Sequence, residues 1–159
     1  MSVFFILMKS RMLQHSVLPF CLTVVVLLLV QSCEGSLSAK SRLIADKGIV
    51  ALAGDDVILS CSLVPANSAS SQTVVWTRPD LDPKYIHVQK DGQPVCSSQN
   101  LLYFNRTALF EEELKHGNVS LKLSRVKISD GGKYFCFVQS VVWAVSIKLT
   151  VGKSAVSCF

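Results

Sequence analysis

Histidine, cysteine and the asparagines of glycosylation sequons are the residues of this chain whose chemistry depends most on spacing. The histidines His15, His87 and His116 have no cysteine or carboxylate partner at the spacing of a catalytic triad or a metal site. The glycines of the 130–132 turn precede a strand and not a helix, so they predict no phosphate-binding loop. The sequence therefore predicts a protein that is not an enzyme, with no catalytic residue, metal or cofactor.

Two sequons, Asn105-Arg106-Thr107 and Asn118-Val119-Ser120, predict N-glycosylation if the chain is exported. Asn118 is the favoured site because it lies at a turn before a strand. Asn105 is the second site, because its neighbour Arg106 would restrict access to it.

Export is predicted by the N-terminus, where Lys9 and Arg11 precede the uncharged apolar run Val17–Val30 and then a small-residue segment. This order is typical of a secretory signal peptide, with cleavage expected between Ser32 and Gly35. The alternative is an uncleaved signal anchor, although the run is short against the roughly 20 residues of a membrane span. The leader also explains much of the mean hydropathy of +0.41.

The charges of the chain are mixed along its length. There are 16 Lys and Arg against 11 Asp and Glu, a formal net charge of +5. Because the basic residues form no block, the sequence predicts no nucleic-acid partner.

Short runs that alternate apolar and polar residues dominate the chain after the leader. This period of two predicts half-buried strands, and many short strands without a long helix predict an all-β two-sheet sandwich. The predicted inward positions are Val57, Leu59, Cys61, Leu63, Val119, Leu121, Leu123, Tyr134, Cys136, Val138, Val145, Ile147, Leu149 and Val151.

One pattern connects these strands: Cys61, then Trp76, then Asp130-x-Gly132-x-Tyr134-x-Cys136. It resembles the signature of an immunoglobulin variable-type domain, which implies a two-sheet Greek-key sandwich. The resemblance further implies an inter-sheet Cys61–Cys136 disulfide packed against a buried Trp76, and a Tyr134 hydroxyl bonded to nearby backbone. It also implies an ion pair between Arg106 and Asp130.

A narrower resemblance, to the butyrophilin and myelin-oligodendrocyte-glycoprotein family, covers roughly residues 48–151. After Trp143 the chain lacks the glycine bulge of antigen-receptor joining segments, which speaks against a rearranging receptor. The motifs that carry the resemblance are Ala53-Gly54-Asp55-Asp56-Val57, Trp76-x-Arg78-Pro79, Ile86-His87, Asp91-Gly92, Arg106-Thr107, Gly117-Asn118-Val119-Ser120-Leu121 and Ser129-Asp130-Gly131-Gly132.

The predicted organisation has four segments. Residues 1–35 are the signal peptide, with either Met1 or Met8 as initiator, and 36–45 a flexible lead-in. The variable-type domain covers 46–151, and 152–159 form a tail. We expect a secreted protein, or one on the external side of the plasma membrane if a longer anchored form exists.

Strand alternation predicts a partner-binding face on the outside of the sheet that variable-type domains build from strands G, F, C and C′, which here carry Lys148, Phe135, Val75 and Tyr85 respectively. Phe135 and Phe137 are its most informative members, because two phenylalanines on a solvent-facing strand indicate burial against something. The alternative is that Tyr85 and a short F–G loop cover them within the monomer. The predicted face comprises Val75, Thr77, Tyr85, His87, Phe135, Phe137, Gln139 and Lys148, with His87 interpreted as a surface residue.

Cys96 and Cys158 remain outside the signature. The family topology places them far apart, so an intermolecular disulfide, or an artefactual tail cysteine, is expected rather than an intrachain pair.

The resemblance implies an extracellular recognition protein that binds a cell-surface receptor on T cells and regulates T-cell activation and cytokine production. The alternative function is homophilic adhesion or a structural surface role, with a homodimer. Neither hypothesis predicts a small-molecule substrate.

Overall fold

A computed structural model describes residues 40–153, whose regular structure consists mainly of short strands with one short α-helix. Two single-turn 3-10 helices lie at Leu101–Tyr103 and Ile128–Asp130. The elements in chain order are β1 (Arg42–Ala45), β2 (Gly48–Leu52), β3 (Val57–Leu59), β4 (Cys61–Val64), β5 (Val74–Thr77), β6 (Tyr85–Lys90), β7 (Gln93–Pro94), β8 (Thr107–Leu109), α1 (Glu111–Leu114), β9 (Leu121–Leu123), β10 (Gly132–Val138) and β11 (Val145–Gly152).

The strands form two layers. One layer is a six-stranded sheet in the order β2-β11-β10-β5-β6-β7, and the other combines the pair β1-β4 with the sheet β3-β9-β8. Strands β3 and β4 are consecutive parts of one strand interrupted at Ser60, and a bridge between Ser62 and Asn118 joins the two parts of this layer. This is the predicted all-β sandwich of the variable immunoglobulin type.

The core lies between the two layers and uses the predicted alternation. Leu59, Leu121 and Ile147 are completely buried, and their neighbours along each strand point outward. Of the predicted inward positions only Val145 and Val151, at the ends of β11, are half-buried. Apolar alternation therefore predicted correctly which side of β3, β4, β9, β10 and β11 faces the core.

Cys61 and Cys136 form a disulfide between the layers, with their Cα atoms 6.7 Å apart. The Trp76 side chain is completely buried, and its indole N–H donates to the Val119 carbonyl at 3.0 Å. The indole therefore fills the core while its one polar atom is satisfied by the opposite layer.

The boundary of the predicted lead-in is wrong. Residues 36–45 were expected to be flexible, yet Arg42–Ala45 form β1 and pair with β4. Leu43 is buried, because it faces Leu63 across this pair. At the other end β11 continues to Gly152, one residue beyond the predicted domain boundary.

The signal-peptide prediction for residues 1–35 and the interpretation of Cys158 both lie outside the described residues. Within residues 40–153, no helix has the length and apolar character that crossing a membrane requires.

Candidate protein-binding surface

A buried polar network stabilises the end of the sandwich at which β10 begins. Arg106 forms an ion pair with Asp130, and both side chains are almost completely buried. The Arg106 guanidinium also donates to the carbonyls of Leu102 and Arg125, at 2.8 and 3.0 Å. The Tyr134 hydroxyl donates to the Asp130 carbonyl at 2.6 Å. These contacts agree with the roles that the resemblance implied for Tyr134, Asp130 and Arg106.

Arg78 is a second buried arginine at this end, and the sequence reasoning assigned it no role. Its guanidinium donates to the Tyr103 hydroxyl at 2.7 Å and lies 5.4 Å from the ring centroid of Tyr134. Burial lowers the pKa of Arg78, but its hydrogen bonds to Asp80 and Tyr103 outweigh this and keep it charged. Burial in turn raises the pKa of the Tyr134 hydroxyl, which stays protonated. Arg78 is therefore a structural residue of this buried network.

The outward side of the six-stranded sheet carries two rows of side chains that cross neighbouring strands. Residues directly opposite each other in a sheet point to the same face, so register pairs identify each row. We call these residues the front face. The first row is Ser146, Phe135, Thr77 and Tyr85, and the second is Phe137, Val75 and Val88.

The front face is apolar at its centre and basic at its border. Phe137 is 36% exposed, whereas Phe135 is half-buried and the Lys133 ammonium lies 5.2 Å from its ring centroid. The Lys84 ammonium lies 5.6 Å from the ring centroid of Tyr85, and Lys148 pairs with Lys133 across β10 and β11. Neither row contains an acidic residue. Lysine stems therefore cover part of the aromatic surface, and the exposed remainder suits an apolar partner surface with acidic neighbours.

His87 is the member of the predicted face that the structure contradicts. A bulge between Trp76 and Thr77 pairs Trp76 with His87 and Thr77 with Tyr85, which leaves Ile86 as the additional residue. Ile86 and His87 consequently both point inward, and His87 is only 6% exposed. A bulge resets the alternation of a strand, so a count along the sequence assigns the wrong face beyond it.

The F–G loop, residues 139–144 between β10 and β11, contributes exposed apolar side chains that the sequence reasoning did not assign to the site. Trp143 is 78% exposed and Val142 is 60% exposed, while Val141 between them and β10 is buried. The backbone N–H of Gln139 donates to the Thr73 carbonyl at 3.0 Å, and that of Val141 to the Val138 carbonyl at 2.9 Å. The loop is thus anchored while its tryptophan faces solvent. The signal in the sequence that could have identified this part of the surface is a tryptophan in a short loop between two strands.

A shallow groove separates the F–G loop from the beginning of β1. Its walls include Lys40, Arg42 and Leu43 on one side and Val141 and Trp143 on the other. Its charged side chains are all basic, like those at the border of the front face. Gln139 and Lys148, the remaining predicted members, are exposed.

The two sequon asparagines differ in their surroundings. Asn105 is exposed, and its side chain makes no hydrogen bond to another described residue. Its neighbour Arg106 turns inward to Asp130 and so leaves the asparagine uncovered. Asn118 is half-buried, and its side-chain oxygen accepts from the Ser120 N–H at 3.1 Å. The reason given for ranking Asn105 second, restricted access beside Arg106, is therefore not met, because Arg106 forms its ion pair and Asn105 stays exposed.

Cys96 carries an exposed free thiol shortly after β7. Among residues 40–153, no three histidine, cysteine or carboxylate side chains are grouped as metal ligands.

The two layers, the inter-sheet disulfide with its tryptophan, and the tyrosine corner define a variable-type immunoglobulin sandwich. The family model of the immunoglobulin V-set domain matches residues 45–151. The chain belongs to this family, whose members related to myelin-oligodendrocyte glycoprotein and butyrophilin are non-enzymatic recognition proteins of the cell surface or extracellular space.

Three similar proteins illustrate the relationship. The chain is 33% identical to human (Homo sapiens) myelin-oligodendrocyte glycoprotein over 121 residues, which are 76% of this chain and 49% of that protein. The crystal structure of bovine butyrophilin has a TM-score of 0.65 and 27% identity, over 73% of this chain and 56% of that one. The human B7-H4 IgV-like domain has a TM-score of 0.64 and 25% identity, over 71% and 98%. The chain thus spans about half the length of the human relative.

Proposed function

We propose that this domain binds a protein receptor on T cells and thereby regulates T-cell activation and cytokine production. The contact surface comprises the front face and the adjoining F–G loop. The observation that carries the proposal is an aromatic side chain on each part, Phe137 at 36% and Trp143 at 78% exposure, held on anchored backbone. Exposed aromatic anchors dominate the energetics of protein interfaces.

The charge of this surface supports a partner other than a second copy of the chain. Lys84, Lys133 and Lys148 border the front face, and Lys40 and Arg42 border the groove beside the F–G loop. Two copies that met face to face would bring like charges together, which opposes association. An acidic receptor surface would instead be attracted.

Export is part of the same proposal. The leader at residues 1–35 would place the domain where a receptor on another cell can reach it, and the extracellular or membrane location of its relatives supports this. The domain would then occupy residues 46–151 together with the β1 segment that precedes them.

The proposal is tested with a fluorescent tetramer of the secreted protein on resting and activated T cells. Phe137→Ala and Trp143→Ala should each weaken staining by about tenfold or more, because each removes an exposed interface anchor. Cytokine release from the same cells should fall or rise with wild-type protein and should return to baseline with the variants.

Ile58→Ala is the matched control, because Ile58 is 50% exposed on β3 in the opposite layer. It should leave staining unchanged, and all three variants should remain folded, with a cooperative thermal unfolding transition. Equal staining by wild type and both aromatic variants would contradict the proposal. Concentration-dependent dimerisation that both aromatic variants abolish, without T-cell staining, would establish the homophilic alternative.

A further inference from the structure

Three large apolar side chains are exposed at the connection between β7 and β8. Leu101 is 85% exposed, Leu102 58% and Phe104 44%, and we call these three residues the apolar turn. Single exposed apolar residues are ordinary, but three within four positions form a patch that requires a cover or a partner.

The apolar turn is held in place by its polar neighbours. Asn100 donates to the Pro83 carbonyl at 2.8 Å and accepts from the Leu102 N–H at 3.0 Å. Tyr103 is buried, and Arg106 donates to the Leu102 carbonyl at 2.8 Å. The exposure of the apolar turn is therefore a property of an ordered 3-10 helix and its cap, and it does not result from a loose loop.

The exposed sequon residue Asn105 follows this turn directly. Its backbone has φ of +56°, a conformation that asparagine adopts more readily than most residues. Its neighbours in the sequon point inward, since Arg106 pairs with Asp130 and the Thr107 hydroxyl accepts from the Gln99 amide at 2.9 Å. The sequon thus presents its asparagine alone to solvent.

We propose that an N-linked glycan on Asn105 covers the apolar turn. Leu101 precedes Asn105 by four residues, which span at most about 14 Å even when extended, and the 3-10 turn shortens this path to within reach of the first sugars. The C–H faces of these sugars can pack on Phe104 and the two leucines, while their hydroxyl groups face water. The inference rests on the export that the proposed function includes.

The position of this glycan keeps the F–G loop of the proposed contact surface free. Asn105 lies at the end of the sandwich where Arg106 meets Asp130, just before β10 begins. The F–G loop follows the other end of β10, whose seven residues span about 20 Å. The glycan and Trp143 therefore occupy opposite ends of the domain.

The first test is site occupancy in the full chain expressed in mammalian cells. The secreted protein is treated with peptide N-glycosidase F in ¹⁸O-water, which converts each glycosylated asparagine to a labelled aspartate. The Asn105 peptide is expected to carry the label. Secreted protein with an unlabelled Asn105 would overturn this inference alone, whereas protein that never enters the secretory lumen would contradict export and this inference together.

The second test measures the cover with a dye that fluoresces on apolar surfaces. Asn105→Asp removes the glycan and keeps a residue that tolerates positive φ. It is expected to raise dye fluorescence about twofold and to promote self-association, because the patch becomes accessible. Asn118→Asp is the matched control for loss of a sequon and should change neither readout.

A third variant separates the apolar turn from other effects of the substitution. Adding Leu101→Ser and Leu102→Ser to Asn105→Asp should return both readouts to the wild-type level. Unchanged fluorescence in Asn105→Asp, or a rise that persists in the triple variant, would show that the glycan does not cover this patch.

Discussion

His87 is a polar side chain that its neighbours accommodate in the core by hydrogen bonding to both ring nitrogens. Its Nδ1 lies 3.1 Å from the Thr107 hydroxyl and its Nε2 lies 3.4 Å from the Gln89 side-chain oxygen. Burial lowers the pKa of His87, and the hydrogen bond to Gln89 opposes this only in part. The imidazole is therefore held in its neutral form inside the sandwich.

This pKa shift predicts a loss of stability in mild acid. Below about pH 6.5 the histidine of the unfolded chain takes up a proton while folded His87 does not, so the unfolded state binds more protons. The free energy of unfolding should then fall between pH 7 and pH 5, by at most about 1.4 kcal/mol per pH unit for one group. Urea denaturation at several pH values measures it.

His87→Gln should flatten this pH dependence, because glutamine retains hydrogen-bonding atoms but does not titrate. His116→Gln is the control, since His116 is exposed. The same slope in wild type and His87→Gln would contradict the assignment.

At the scale of elements, turns decide where the strands begin and end. The turn after helix α1 ends at Gly117, at φ of +79°, whose carbonyl accepts from the Leu63 N–H at 2.9 Å. A Cβ atom there would lie 2.8 Å from the Asn67 carbonyl oxygen and 3.1 Å from the Leu63 Cβ. Gly54 also has a positive φ, of +100°, but a Cβ at that position would have no neighbour within 4 Å.

These two glycines predict different costs for the same substitution. Gly54→Ala should lower the free energy of unfolding by about 1 kcal/mol, because only backbone strain is added. Gly117→Ala should lower it by about 2–4 kcal/mol, because an atomic overlap with fixed backbone adds to the strain. Urea denaturation of both variants provides the comparison. Equal losses would indicate that the Asn67 backbone moves aside without cost.

The elements also show what the sequence can and cannot predict. The inward faces of β3, β4, β9 and β10 can be predicted from alternation, because apolar residues occupy every second position of each of these strands. The bulge opposite Trp76 depends on how β5 and β6 pair, and β1 depends on its partner β4, so neither has a signal in its own short segment. Exposure of Trp143 depends likewise on how the F–G loop is anchored, which is a tertiary property.

At the scale of the whole molecule, a disulfide joins the two layers. Cys61 and Cys136 are 75 positions apart, so their disulfide closes a loop that includes most strands of the domain. Cross-linking a loop of this length reduces the freedom of the unfolded chain considerably.

Replacing Cys61 and Cys136 together with alanine should lower the free energy of unfolding by about 4 kcal/mol. Urea denaturation under non-reducing conditions measures the loss. Cys96→Ser serves as the control, because the exposed Cys96 is unpaired among the described residues and its replacement should change stability little. A loss below about 1 kcal/mol in the double variant would contradict the role assigned to the disulfide.

Strands β1 and β2 follow each other in one short segment but belong to different layers, since β1 pairs with β4 while β2 runs parallel to β11 over five residue pairs. The start of β2 and the end of β11 lie at opposite ends of this parallel pair. A force that pulls these two ends apart therefore acts along the direction of both strands. The backbone hydrogen bonds between Gly48–Leu52 and Lys148–Gly152 are then strained together in shear, and they cannot open one after another. Mechanical tension between the ends of the domain would therefore meet its strongest resistance at this outermost pair of strands.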